Sequence, residues 1–128
     1  MIKIIDSENI YTKKTWDINQ LKRKIHQRNI GGLRQMKKDK ITKEKIEKYY
    51  SITKKALGIV KKSIYQNREK EAKEIIQMVE CYLSDSKHFE KNEDYTNSFG
   101  AIYYAHGWLD CGARLKIFNV KDNKLFTV

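Results

Sequence analysis

Three polar residues in the last third of the chain have a spacing that acid–base chemistry could use. His106, Asp110 and Arg114 follow one another at intervals of four residues, so their side chains can meet along one edge of a helix. A carboxylate that orients an imidazole resembles half of an acid–base site, or an outer-shell metal arrangement. The same pair also suits a buried histidine, whose ring nitrogens need hydrogen-bond partners.

The sequence favours the structural interpretation of this pair. His106 falls in the middle of an apolar helical face, where its ring would pack and Asp110 would satisfy one nitrogen. Nothing nearby in the sequence supplies a nucleophile. We therefore predict a structural polar pair, no catalytic residues and no enzymatic activity.

Histidine and cysteine are too scattered along the chain to predict a metal centre. Ligands would have to converge from four segments, at His26, His88, His106, Cys81 and Cys111, and no close-spaced zinc pattern is present. Two cysteines are too few for a disulfide scaffold, and a free cysteine in a helix usually behaves as a small apolar residue. We predict neither a metal nor another cofactor.

Three amphipathic segments would position these residues, and together they predict a helical bundle over residues 41–118. The first helix begins at Thr42, a residue suited to capping, with Ile41 and Ile46 placed as a hydrophobic staple. The second begins after Asn67 as its predicted cap, and the third runs over about residues 93–116. Each carries apolar residues at helical period.

The third helix differs from the others because it is apolar nearly all round. At 100° per residue, one face carries Tyr95, Phe99, Ile102, His106, Leu109 and Ala113. Much of the opposite face carries Ala101, Tyr104, Ala105, Trp108, Gly112 and Leu115. The narrow arc between them holds Thr96, Gly100, Gly107, Cys111 and Arg114.

A helix that is apolar on both sides should be buried on both sides. Two partner helices cover one side well. Four candidates could cover the other: the segment around Trp16, the C-terminal residues 125–128, a second copy of the chain, or a different partner. Trp108 beside small residues forms an aromatic knob of the kind that anchors interfaces, so we predict a protein interface at Ala101, Tyr104, Ala105, Trp108, Gly112 and Leu115.

Two stretches of the sequence resemble a known family. They read YYAHGWLDCGARL at residues 103–115 and YLSDSKHF at residues 82–89. The chain resembles the archaeal "domain of unknown function 357" family over about residues 41–118, most specifically from Tyr104 to Leu115. Ser98 and Cys111 stand where that family usually has alanine. The resemblance implies a three-helix up-and-down bundle, an archaeal source and no known activity, and it assigns no catalytic residues.

Charge is distributed unevenly along the 128 residues. The net charge is +11, and residues 1–40 hold 11 Lys or Arg against four Asp or Glu, a net +7. A basic segment beside a nearly balanced body is typical of proteins that bind polyanions, although solvated helix faces can also be basic. The candidate nucleic-acid-binding residues are Lys13, Lys14, Trp16, Lys22, Arg23, Lys24, Arg28, Arg34, Lys37 and Lys38.

These patterns divide the chain into three parts. Residues 1–40 form a basic arm that is partly helical over about residues 17–28, residues 41–118 form the bundle, and residues 119–128 form a short tail. The tail could make a small hairpin or an extended docking strand. No apolar run reaches the roughly 20 residues of a membrane span, and the N-terminus lacks a signal core, which predicts a cytoplasmic protein without a membrane partner.

Two functional hypotheses follow from these features. The first is a non-enzymatic helical module that associates with RNA, or with a ribonucleoprotein, through the basic arm. No phosphate-binding loop or RNA-recognition motif is present, so such binding would depend on charge and shape. The alternative is a protein–protein adaptor or a homodimer that uses the apolar face around Trp108.

Overall fold

The computed structural model describes residues 38–128, which fold into three α-helices. These are α1 (Lys43–Val60), α2 (Glu69–Lys91) and α3 (Tyr95–Arg114). Helix α3 packs most extensively against α2 and less against α1, and short connections make consecutive helices antiparallel. The predicted all-α three-helix bundle is confirmed. The arm predicted for residues 1–40 lies outside the described residues except for its last three.

Helix α1 begins where the sequence predicts. The Thr42 side chain accepts a hydrogen bond from the Lys45 backbone N–H at 3.2 Å, and Ile41 packs against the cluster that contains Ile46. Its buried stripe consists of Ile46, Tyr49, Thr53, Ala56, Leu57 and Val60. The helix therefore forms because one capped segment presents apolar residues at helical spacing to the core.

Helix α2 begins two residues after the predicted cap. Asn67 is not the cap; it adopts a left-handed backbone conformation with φ of 68°, and Arg68 precedes the helix without a side-chain capping bond. Asparagine tolerates this conformation better than most residues, so it serves the turn instead. The buried side of α2 consists of Ala72, Ile75, Val79, Leu83 and Ser86.

Helix α3 follows α2 after a tight turn. Glu93 takes a left-handed conformation with φ of 58°, and the Asp94 N–H donates back to the Phe89 carbonyl. The Asp94 side chain then accepts from the Asn97 N–H at 3.2 Å and caps α3. The predicted bounds of residues 93–116 were thus too wide by two residues at each end.

Small and polar residues let α2 and α3 approach closely. The Ser98 hydroxyl donates to the Ser86 carbonyl at 2.8 Å and lies 3.0 Å from the Ser86 hydroxyl, and both side chains are fully buried. Near the other end of α3, a methyl group on Gly112 would lie 2.6 Å from Phe118 Cδ2 and 3.2 Å from Ile75 Cδ1. Gly112 is therefore the site where α2, α3 and Phe118, the last residue before the tail, meet.

Residues 117–128, the end of the bundle and the tail that follows it, complete the core. The Tyr65 N–H donates to the Ile117 carbonyl, and the Asn119 N–H donates to the Ser63 carbonyl, which fixes the tail against the α1–α2 connection. Phe118 and Phe126 are both fully buried in the main core cluster. The tail docks through these contacts and one isolated bridge between Ile64 and Phe118, rather than as the hairpin that was one of the two predictions.

Replacing Gly112 by alanine tests this packing. The added methyl group would overlap the Phe118 ring, so we expect Gly112→Ala to lower the free energy of unfolding by about 2 kcal/mol. Gly58→Ala is the matched control: Gly58 is exposed on α1, and apart from its two neighbours and the adjacent α1 backbone no atom of residues 38–128 lies within 4 Å of the added carbon. It should raise stability by about 1 kcal/mol. Equal shifts in urea-denaturation midpoint for both variants would contradict the account.

Candidate protein-interaction site

His106 is held by residues from three parts of the chain. Its ring is fully buried, with Nδ1 3.0 Å from the Thr53 hydroxyl of α1 and Nε2 2.8 Å from the Leu125 carbonyl of the tail. A carbonyl can only accept, so Nε2 carries the proton and donates to Leu125. In the neutral ring Nδ1 then accepts from the Thr53 hydroxyl. Both ring nitrogens are satisfied.

Asp110 has its own partners rather than serving His106. One carboxylate oxygen accepts from the Thr127 N–H at 2.9 Å, and the other accepts from the Thr127 hydroxyl at 3.1 Å. The nearest approach between His106 Nε2 and Asp110 Oδ1 is 3.9 Å, which is too long for a hydrogen bond. The expectation that Asp110 satisfies an imidazole nitrogen was therefore wrong. Instead, His106 and Asp110 each hydrogen-bond to the tail, at Leu125 and at Thr127 respectively.

The environment of His106 suits a structural ring. Burial lowers its pKa from the ordinary value of 6.5, and the nearby Asp110 carboxylate and the Leu125 carbonyl oppose that shift only in part. A neutral imidazole with both nitrogens engaged has no position open for a substrate or a metal. Arg114, the third member of the sequence pattern, is exposed at the end of α3.

The outward face of α3 carries a groove of about 530 Å³. Its lining residues are Gly100, Tyr103, Tyr104, Gly107, Trp108 and Cys111. We call this surface the α3 groove. The glycines form its floor and the aromatic side chains form its walls. None of the six side chains is charged, although 34% of the chain's residues are.

The walls of the α3 groove are anchored to the bundle. The Tyr104 ring meets the Tyr82 ring of α2 with centroids 4.5 Å apart, and Trp108 is half-buried against the main core cluster. Partial desolvation, and then the neighbouring Tyr104, raise the pKa of Tyr82. Tyr104 nevertheless remains 55% exposed. The groove is therefore a firm apolar surface that faces solvent in the described part of the chain.

The structure divides the residues predicted for a protein interface. Ala101, Ala105 and Gly112 are buried inside the bundle and cannot reach a partner. Tyr104, Trp108 and Leu115 lie on the surface, and Leu115 is 57% exposed. Gly112 lies against Ile75 of α2, a contact that the helical projection could not reveal without the position of α2.

Three groove residues were placed in the narrow arc of the projection and given no role. Gly100, Gly107 and Cys111 are the small side chains over which the neighbouring rings form walls. The sequence contains a signal for these groove residues: the arc has no charged residue between Thr96 and Arg114, which is unusual for a solvent-exposed helix face in a highly charged chain. The inner side of α3 is covered as predicted, whereas residues 38–128 do not cover the groove side, so its cover stays a prediction.

The nucleic-acid-binding residues predicted in the arm cannot be placed. Of these ten, only Lys38 falls among the described residues, where it is exposed. Basic charge continues beyond it, since residues 38–62 hold nine lysines against three acidic residues, a net +6. Residues 63–128 hold nine Lys or Arg against ten Asp or Glu, a net −1. The positive charge of the described part therefore belongs to α1 and the residues beside it.

The described residues contain no cluster of three or more metal-ligating side chains. Cys81 and Cys111 are both free and exposed. None of α1, α2 and α3 combines the length and the apolarity that crossing a bilayer would require.

Comparison with known proteins places the chain in a family. The family model described as "Protein of unknown function (DUF357)" matches residues 48–118, more than half of the chain. The chain belongs to the DUF357 family. Neither a curated protein nor a solved structure matched it.

The DUF357 match confirms the resemblance carried by residues 82–89 and 103–115. It begins within α1 and ends at Phe118, so the whole α3 groove and Thr53, His106 and Asp110 lie inside the region shared with the family. Leu125, Phe126 and Thr127 lie beyond that region. Part of the partner set of His106 is therefore supplied by a tail outside the matched DUF357 residues.

The pH dependence of stability tests the buried imidazole. Because the folded-state pKa of His106 is lowered, the unfolded chain binds more protons at mildly acidic pH. The contribution of neutral His106 to the free energy of unfolding should be fully present above pH 6.5. It should decrease as the pH falls from there toward the lowered pKa of His106.

His106→Gln should remove this part of the pH dependence, while His88→Gln, at an exposed histidine, should keep it. Denaturant midpoints measured from about pH 8 to pH 5 would show the difference. Parallel profiles for the wild type and His106→Gln would contradict a buried neutral ring.

Proposed function

We propose that the protein is a non-enzymatic interaction module, whose bundle displays the α3 groove to a protein partner. The observation that carries the proposal is an uncharged surface extending over three turns of a helix in a highly charged chain. Apolar surface of this kind, rimmed by polar residues, is typical of binding sites. Aromatic side chains such as Tyr104 and Trp108 are enriched among residues that dominate binding energy.

The rigidity of the groove supports this role. Its floor belongs to α3, the helix with the most extensive packing in the described bundle. Behind that helix, His106 and Asp110 join α3 to α1 and to the tail through hydrogen bonds of 2.8–3.1 Å. A preformed surface loses little conformational entropy on binding. In this proposal, the hydrogen bonds of His106 and Asp110 hold α3 in place behind the groove and take no part in a reaction.

Photo-crosslinking in cell extract tests whether the groove meets a protein. A photo-reactive phenylalanine in place of Tyr103 would keep an aromatic ring on the groove wall, and one at position 73 would stand on the exposed side of α2. We expect protein crosslinks from position 103 that are absent from position 73. Tyr104→Glu should reduce them, because a charge on the groove wall disfavours an apolar contact. Equal crosslinking from both positions would contradict the proposal.

The charge distribution favours a second candidate function, association with RNA. The exposed side of α1 carries Lys43, Lys48, Lys54 and Lys55, and Lys61 and Lys62 follow immediately after the helix. In sequence, these lysines come directly after the basic residues 1–40. Lysines near phosphates release counterions and bind without reading sequence. The basic surface and the α3 groove involve different residues, so the two functions can be tested separately.

A matched pair of charge reversals tests the RNA hypothesis. Lys55→Glu with Lys62→Glu changes the basic surface formed by α1 and the residues just after it, whereas Lys70→Glu with Lys73→Glu makes the same change in net charge on α2. All four lysines are exposed. The α1 double variant should bind a single-stranded RNA at least tenfold more weakly, with a salt slope smaller by about 1.4. Equal losses in both variants, or an affinity independent of salt, would count against an α1 surface.

A further inference from the structure

The spacing of the groove residues indicates what kind of element fits the α3 groove. Gly100, Tyr104, Gly107 and Cys111 recur at intervals of four, three and four residues. This alternation keeps one seam of a helix facing another helix, as in a left-handed coiled coil. Trp108 flanks the seam on one side. The groove is therefore shaped for a helix lying along α3.

The glycines leave hollows in the seam. Apart from the two adjacent residues and the neighbouring backbone of α3 itself, no atom within residues 38–128 comes within 4 Å of a carbon added at Gly100 or Gly107. Glycine in the interior of a helix costs about 1 kcal/mol relative to alanine. Packing of α3 against α1 and α2 does not require glycine at positions 100 and 107, because both positions face outward. Two open glycines one heptad apart are explained if another side chain occupies the space above them.

We propose that the occupant is α3 of a second copy of the chain, running antiparallel about a twofold axis between Tyr104 and Gly107. The proposal rests on the interaction role of the α3 groove stated above. In this register Tyr104 of one copy lies over the partner's Gly107, and Gly100 lies over the partner's Cys111. The twofold axis repeats each contact, so every hollow faces a side chain. A parallel in-register pair would set Tyr104 against Tyr104 and leave hollow against hollow.

Charge along α3 selects the same direction. Glu93 and Asp94 lie at its N-terminal end, whereas Arg114 and Lys116 lie at its C-terminal end. An antiparallel pair brings the acidic end of each helix beside the basic end of the other, and it also opposes the helix dipoles. A parallel pair would place like charges together at both ends.

One helix pair buries less than the roughly 800 Å² per partner of a standard interface. The dimer therefore dissociates on dilution, and sedimentation equilibrium of the full chain measures its dissociation constant. Gly107→Gln should raise that constant at least tenfold by filling the hollow. The same variant should raise the melting temperature of the dilute monomer by a few degrees, because Gln is the better helix former.

Gly58→Gln is the control, because Gly58 is exposed on α1 with the same open space and lies outside the groove. It should give a similar rise in melting temperature with no change in dimerisation. Three outcomes would overturn the proposal: a wild type that is monomeric at all concentrations, a dimer insensitive to Gly107→Gln, or equal weakening by both variants.

Disulfide formation tests the direction of pairing. Cys81→Ala removes the other cysteine, so that Cys111 alone remains. In the antiparallel register the two Cys111 residues are about 16 Å apart along the axis, which is too far for a disulfide. Mild oxidation should therefore leave Cys81→Ala without covalent dimers. Adding Gly100→Cys should produce them, since position 100 then faces the partner's Cys111. Covalent dimers from Cys81→Ala alone would indicate parallel pairing and overturn the proposal.

Photo-crosslinking from position 103, on the groove wall, distinguishes this inference from the interaction role itself. Crosslinks between two copies support the second copy. Crosslinks only to another protein would retain the interaction role and overturn the dimer. Crosslinks only within one chain, to residues 1–37, would overturn both.

Discussion

The apolarity of α3 on its inner and outer sides is the constraint on which the rest of the structure depends. On the inner side the bundle satisfies it with α2, with α1 and with a tail that brings Phe126 into the core. The outer side, from Gly100 to Cys111, has no such cover within the described residues and displays the α3 groove. Exposed apolar surface of this extent lowers solubility unless it is covered. This is the basis for proposing that another helix packs against it.

The buried polar residues of α3 contribute to the same packing, because they hold the tail against the bundle. His106 and Asp110 stand at positions facing the tail, and each hydrogen-bonds to tail atoms rather than to a solvent-open site. Buried polar groups are tolerated when every donor and acceptor is matched, and their directionality fixes where the tail lies. What resembles an acid–base pair in the sequence is thus a means of locking a C-terminal segment across α1 and α3.

Local signals predicted the helices well, because caps and apolar spacing act within a few residues. Thr42 was identified as a cap on these grounds, and the apolar stripe of α1 follows from its sequence alone. Asn67 was misassigned because asparagine suits both a helix cap and a left-handed turn, and only the path of the chain decides between them. The partners of His106 could not be predicted, since Thr53 lies 53 residues away and the Leu125 atom involved is a backbone carbonyl.

The sequence predicted the exposed aromatic residues of the candidate site, but it did not predict which small residues line the site. Tyr104 and Trp108 were identified, whereas Ala101, Ala105 and Gly112 were assigned to a partner although α2 and Phe118 occupy that side. A helical projection orders side chains around an axis but does not say where neighbouring helices lie. Small residues are therefore ambiguous in it: at Gly112 they admit the protein's own side chains, and at Gly107 they leave a hollow on the surface.

Hydroxyl-radical footprinting of the wild-type chain at low and high concentration tests the central claim most directly, because it reads the solvent exposure of individual rings. Oxidation of Tyr104 and Trp108 should decrease as the protein concentration rises, while oxidation of Tyr65, which lies outside the groove, should stay constant. Oxidation of Tyr104 and Trp108 that is the same at every concentration would contradict pairing through the α3 groove.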